Sequence, residues 1–434
     1  MSKTNKRNPW LFIPTQYFAE GLPFVIVNQL SVALFKSLGA SNAFIGATSF
    51  LYLPWSFKFL WSPQIDAAAS KRSWVVWLQL ALSIGFFLAA SSLHIPDFTI
   101  FLLIIFAIIA FISASHDIVT DGFYLHALEV PQQAFFVGIR STFYRLSMIF
   151  GSGLLIALAG SFGTDEASLR QGWSISIGIC GIIFIFMFFY HRKVLPYPDS
   201  DIVIKRKIAG QAPYKIVFRE YLSQKKIGVI LSFILLYRFG EGLLLKMAQP
   251  FFLDKISDGG MGISLREVGI MYGTIGIIAL MAGGIISGWI IKNKGLKKML
   301  LPMAIIMNLP NLLFVYLAAV QPQQVWRMEI PWFFGSNGFN FHPVLQFCIV
   351  IEQFGYGMGV TAFMVYFLQL AKGTFKTSHY AISTGLMAIG FMLPGFLSGW
   401  LQQQIGYLWL FILSCIMTLP GMLTIFFLPI DEKE

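Results

Sequence analysis

Asp117 and Asp121 stand four residues apart at the end of an apolar run from Phe98 to Ile112, with His116 beside the first. Four residues are about 400° of helix rotation, so the two carboxylates share one face, one turn apart. Acids in such a place either face a bundle interior or watery cavity, or lie past the membrane as solvated charges. Glu20 and Glu241 are deeper, each about a dozen residues into an apolar segment, where a carboxylate has to be protonated, paired or wetted. Such groups suit proton transfer or contact with a polar solute; the plainer role is a hydrogen bond between helices.

Cations and amides accompany these acids. Arg238 precedes Glu241 by three residues and can pair with it along one helix. Lys246 lies about 500° of rotation past Glu241, on another side, with Gln249 beyond it. It suits an anionic solute group, or else snorkels to the interface. Arg140 and Arg145 share one segment. The deeper Arg145 needs a partner, for which Asp117 or Asp121 on the neighbouring segment is the simplest, whereas Arg140 is expected in solvent. Lys58 and Asp66 are expected as an interfacial charge and a helix-end contact. Glu352 and Gln353 interrupt another apolar run, and Tyr356 shares the face of Gln353. A ring beside an amide suits a sugar, or else holds helices together next to Gly355, Gly357 and Gly359.

Membrane helices are the elements that would carry these groups. Of 434 residues, 56% are hydrophobic and 12% charged, about half the charge of a soluble globule. Twelve apolar segments are expected near 10–35, 42–62, 74–94, 97–120, 134–160, 172–191, 227–253, 264–291, 299–320, 343–370, 378–402 and 406–429, making the protein an all-α membrane protein. A polar, basic stretch beginning at His191 separates residues 1–191 from 227–434, with 192–226 as a cytoplasmic loop between two six-helix bundles. Of the 31 Lys and Arg, 21 fall on the side of the two termini and 5 on the other, which places both termini in the cytoplasm. The net charge of +11 therefore follows topology, and no nucleic-acid partner is expected. Cys180, Cys348 and Cys415 all lie in apolar runs and read as small filler, with no disulfide or metal set. No Walker-type loop, HExxH or CxxC occurs, so neither ATP-driven transport nor metalloenzyme chemistry gains support, and no cofactor is expected.

The two halves repeat. Phe18-Ala19-Glu20-Gly21-Leu22 matches Phe239-Gly240-Glu241-Gly242-Leu243, and Ser41 follows its Glu by 21 residues where Ser264 follows by 23. Six segments per half keep the repeats in one orientation, as in parallel-repeat transporters. The stretch from Gly288 to Lys298 is similar to the Gly-x-x-x-Asp-x-x-Gly-Arg-Arg loop of the major facilitator superfamily, with Lys292 where that pattern prefers Asp.

Four stretches together resemble the AmpG-type muropeptide permeases and the related acetyl-CoA transporters. They are Glu20-Gly-Leu-Pro23, Phe57-Lys-Phe-Leu-Trp-Ser-Pro-Gln-Ile-Asp66, the stretch holding Asp117 and Asp121, and Gly357-Met-Gly-Val-Thr-Ala-Phe363. The pattern departs at His116, where the family usually has Gln, and at Gly122-Phe123, which is nearer the acetyl-CoA branch. The insertion 321–342, with Trp326, Trp332, Phe333 and Phe334, fits neither branch and reads as interfacial anchors. The resemblance implies a major facilitator fold of two pseudo-symmetric six-helix bundles in the inner membrane, with solute bound near mid-membrane. It implies proton-coupled import of anhydro-muropeptides, with protons, a small-molecule solute and the lipid bilayer as partners, and no enzyme activity. It makes His116, Asp117, Asp121, Arg140, Arg145, Lys58 and Asp66 a gating set. Glu20, Glu241, Lys246, Gln249, Glu352, Gln353 and Tyr356 become candidates for the solute or proton path. Transport of acetyl-CoA or another anionic metabolite, and a membrane sensor that moves nothing, remain the two alternatives.

Overall fold

Helix fills almost all of the computed structural model, which describes residues 7–62, 65, 69–198, 201, 212–328, 339–370 and 376–430. In chain order the helices are α1 (Pro9–Ser37), α2 (42–60), α3 (Lys71–Ser92), α4 (Phe98–Ala127), α5 (130–160) and α6 (Glu166–Val194). After a short helix, Ala212–Leu222, come α7 (Ile227–Leu253), α8 (Leu265–Lys294), α9 (Leu296–Val320), α10 (Pro343–Leu370), α11 (376–405) and α12 (407–427). Between α9 and α10, β1 (Trp326–Met328) pairs antiparallel with β2 (Phe339–Phe341), Trp326 opposite Phe341. Trp326 is exposed there; Trp332, Phe333 and Phe334 lie outside the described residues.

Ten helices among the described residues are long and apolar enough to cross a membrane, against the twelve expected. Both differences have local causes. The stretch 42–60 is helical only in short α and 3-10 pieces, and Pro54 within it has no N–H to give. The run Lys376–Thr424 is continuous but for Gly406, whose φ of 76° and ψ of 172° suit only a residue without Cβ, so α11 ends and α12 begins there. The repeated serines do the same work in each half. Ser41 Oγ accepts from Phe44 N at 3.2 Å and Ser264 Oγ from Glu267 N at 3.3 Å, each satisfying an orphan donor at the start of its helix.

The chain forms two compact units, one of residues 1–34 and 57–209, the other of 35–56 and 210–434. The first therefore holds α3–α6 with most of α1, and the second α7–α12 with most of α2. Phe12, Tyr17, Val75, Phe123, Tyr124 and Phe188 are core residues of the first. The second packs Phe233, Tyr237, Phe363 and Tyr366, with Tyr237 and Phe363 rings 4.5 Å apart. In the second unit a Cβ on Gly357 would strike the Leu280 carbonyl of α8, and one on Gly355 the Ile306 carbonyl of α9. The glycines of α10 thus let backbones meet.

Among the described residues three helices contain π-turns, at Ile26–Leu30 in α1, Ile149–Leu154 in α5 and Met271–Gly276 in α8. A π-turn adds a residue to one turn and rotates the face downstream. In α7 the interruption is different. The helix breaks at Arg238, with φ −109° and ψ 13°, and restarts at Phe239, which puts Glu241 in a first turn, where the helix dipole favours an acid.

Candidate functional site

In the first unit, α1 brings Tyr17 and Glu20, α4 brings Asp117 and Asp121, α5 brings Arg140, and the end of α2 brings Lys58. One carboxylate oxygen from each of Glu20, Asp117 and Asp121 lies within 4.8 Å of the other two. Lys58 Nζ donates to Asp117 Oδ2 and supplies a cation inside this group. Tyr17 OH donates to Asp121 Oδ1 at 2.9 Å, and Arg140 NH1 donates to both, at 3.0 Å each. The Arg140 guanidinium also sits 5.3 Å from the Tyr17 ring centre and 5.1 Å from that of Tyr124. Among the described residues, the buried Glu20 Oε2 has no hydrogen-bond partner.

Two expectations are corrected. Arg140, expected in solvent, holds Asp121, while Arg145 has no ion pair among the described residues. The two arginines are five residues apart, about 500° of rotation, so only one can face α4. Lys58, expected as an interfacial charge, is ion-paired with Asp117. Asp66 lies outside the described residues.

His116 belongs to a buried chain of hydrogen bonds that its sequence neighbours do not announce. Thr15 Oγ1 meets His191 Nε2 at 2.9 Å, His191 Nδ1 meets Gln79 Oε1 at 2.9 Å, and Gln79 Nε2 meets His116 Nε2 at 3.1 Å. His116, Gln79 and His191 are fully buried. Gln79 was legible only as a lone amide in an apolar run. His191, expected to open the central loop, lies inside α6, which runs on to Val194.

In the second unit Arg238 organises the polar groups. Its Nε lies 3.5 Å from Glu241 Oε2, its NH2 donates to Tyr356 OH, and its guanidinium covers the Phe391 ring at 4.4 Å. Gln353 Nε2 donates to Glu352 Oε2 at 2.9 Å, both buried in α10. Glu241 and Tyr356 thus share Arg238, and Glu352 and Gln353 stand about one turn before Tyr356 on α10. Lys246 stands apart from them. Its Nζ donates to Thr48 Oγ1 at 2.8 Å, and Gln249, three residues on, is buried with its Oε1 unpartnered among the described residues.

One network in this unit has no counterpart in the sequence reading. Lys36 Nζ lies 2.5 Å from Asp254 Oδ1 and donates to Asn42 Oδ1 at 2.8 Å. Asn42 Nδ2 donates to Gln402 Oε1 at 2.7 Å and to Tyr407 OH at 2.9 Å, and Tyr407 OH donates to Asp254 Oδ2 at 2.5 Å. Lys36 and Asp254 each border a loop, so nothing local sets them apart from ordinary solvated charges.

The family model described as Major Facilitator Superfamily matches residues 15–341. The anhydromuropeptide permease of Escherichia coli (strain K12) is 24% identical over 414 residues, covering 94% of this chain and 77% of that protein. A Rickettsia conorii (strain ATCC VR-613 / Malish 7) protein named as transporter AmpG 1 is 28% identical over 400 residues, covering 87% and 88%. Among solved structures, a bacterial homologue of the human lysosomal transporter Spinster superposes with a TM-score of 0.69 at 13% identity, over 98% of this chain and 97% of that one. The xylose transporter XylE from E. coli gives 0.65 at 12% identity, over 98% and 97%. At these identities the two structures speak for the fold alone.

Proposed function

The chain belongs to the major facilitator superfamily, as a multi-pass membrane transporter and not an enzyme, and on that premise we propose that it imports anhydro-muropeptides across the inner membrane by proton symport. The solute class is supported by what the E. coli relative is named for and by the four motifs shared with that family. The coupling rests on one observation. The first unit gathers three carboxylates, Glu20, Asp117 and Asp121, against two cations, Lys58 and Arg140. One negative charge is left over, and Glu20 Oε2 has no donor among the described residues. A proton is the smallest ion that offsets such a charge in a low-dielectric site. Both termini face the cytoplasm in this reading, by the distribution of Lys and Arg.

The test is uptake of a mass-tagged anhydro-muropeptide into proteoliposomes under an imposed inward proton gradient. Accumulation that follows the gradient is expected, with Glu20→Gln, Asp117→Asn and Asp121→Asn changing its pH profile. No accumulation by the wild-type chain sinks the solute assignment; an unchanged profile in all three variants and in Glu241→Gln sinks the coupling. The sequence Asp121-Gly122-Phe123 favours a second reading, an anionic metabolite such as acetyl-CoA. Competition binding between the two solute classes separates them.

A further inference from the structure

The sequence places five cations inside membrane segments: Lys58, Arg140, Arg145, Arg238 and Lys246. Three face a carboxylate of their own unit: Lys58 faces Asp117, Arg140 faces Asp121 and Arg238 faces Glu241. Lys246 does not. Its one hydrogen-bond partner among the described residues is a neutral oxygen, Thr48 Oγ1, and the Thr48 hydroxyl hydrogen is engaged by the Ile45 carbonyl at 2.7 Å. An ammonium has three hydrogens to give, so two are left for something else. Its helix neighbours Leu243, Leu244, Met247 and Ala248 are buried and apolar. One turn on, Gln249 is nine-tenths buried and holds an amide oxygen that accepts nothing among the described residues.

A cation in this setting keeps its charge only when an anion is brought to it. We propose that Lys246 is the anchor for a carboxylate of the transported solute, with Gln249 accepting a neighbouring N–H of the same solute. The ligand class is a peptide-bearing acid, in which a carboxylate and amide N–H groups stand side by side. This rests on the transport reading above and deepens it. Arg238 is unsuited to the task, because Glu241 and Tyr356 already occupy its guanidinium.

The experiment compares two probes on one preparation of the full chain in proteoliposomes: an anhydro-muropeptide with free carboxylates, and the same compound with those carboxylates amidated. For the wild-type chain the free acid is expected to have a KM lower by about tenfold or more, the worth of one charge-assisted hydrogen bond. Lys246→Gln is expected to bring both probes to the amide's KM, and Lys246→Arg to keep most of the preference. Because the ratio is taken on one preparation, a loss of folded protein lowers both rates and leaves the ratio alone. Equal KM for the two probes in the wild type, or an undiminished preference in Lys246→Gln, overturns the anchor while leaving the transport reading standing. No uptake of either probe by the wild type overturns the muropeptide reading and the anchor with it.

Discussion

At the scale of single residues, the ion pairs of the first unit are the most exposed to test. The Lys58 side chain is 35% exposed and that of Asp117 14%, between a surface pair and a buried one. Asp117→Asn should therefore cost about 2 kcal/mol, since the ammonium loses its counter-charge but keeps some water. The double variant Lys58→Met with Asp117→Leu should recover most of that, read as a coupling energy in thermal unfolding in detergent. Arg140→Ala strips donors from both Tyr17 and Asp121 and should destabilise clearly, whereas Arg145→Ala should stay within about 0.5 kcal/mol in the same assay. The shared face of Asp117 and Asp121 was legible because helix rotation alone sets it. Their partners were not. Arg140 and Arg145 differ by about 140° around their helix, and which of them meets α4 depends on how two helices dock, which no local spacing records.

At the scale of elements, backbone carbonyls and glycines set the limits. A Cβ on Gly46 would come 2.7 Å from the Phe396 carbonyl, and one on Gly399 would overlap the Asn42 carbonyl, so α2 and α11 meet backbone to backbone within the second unit. Gly399→Val should lower folded yield and melting temperature sharply, because a carbonyl cannot step aside as a side chain can. Gly406 offers a contrast. Nothing lies within 4 Å of its Cβ position, so Gly406→Ala should cost about 1–3 kcal/mol through φ and ψ alone. The long apolar segments and the break near 406 were visible as hydropathy and a glycine. The fragmentation of α2, the π-turns and the break at Arg238 were not, because all three depend on what the helix packs against.

At the scale of the whole molecule, the internal repeat is only skin-deep in its chemistry. Glu20 and Glu241 occupy matching positions, but three residues earlier stand Tyr17 in one half and Arg238 in the other. The second half thus compensates its acid within the same helix, whereas the first draws its cations from elsewhere, Arg140 of α5 and Lys58. Matching motifs found the two positions, and the three-residue spacing gave Arg238 as a partner for Glu241; neither could say that Glu20 would stand with two further acids. The distribution of Lys and Arg makes a further claim at this scale. Ser257→Cys, exposed in the connection after α7, should react with a membrane-impermeant maleimide in intact cells, and Lys294→Cys, exposed at the end of α8, only after permeabilisation. The reverse pattern would turn the protein over in its membrane.

The buried chain from Thr15 to His116 has a direction. Gln79 offers its N–H side to His116 and its oxygen to His191, so one imidazole is addressed as an acceptor and the other as a donor. Turning the amide over reverses both roles at once, and Thr15, with the Phe12 carbonyl 3.1 Å away, has a second acceptor ready for its hydrogen when that happens. The four residues therefore hold a single binary polarity, shared across four helices, and neither ring can change tautomer alone. Gln79→Leu should release them: nitrogen chemical shifts of His116 and His191 that switch together in the wild-type protein should then move independently.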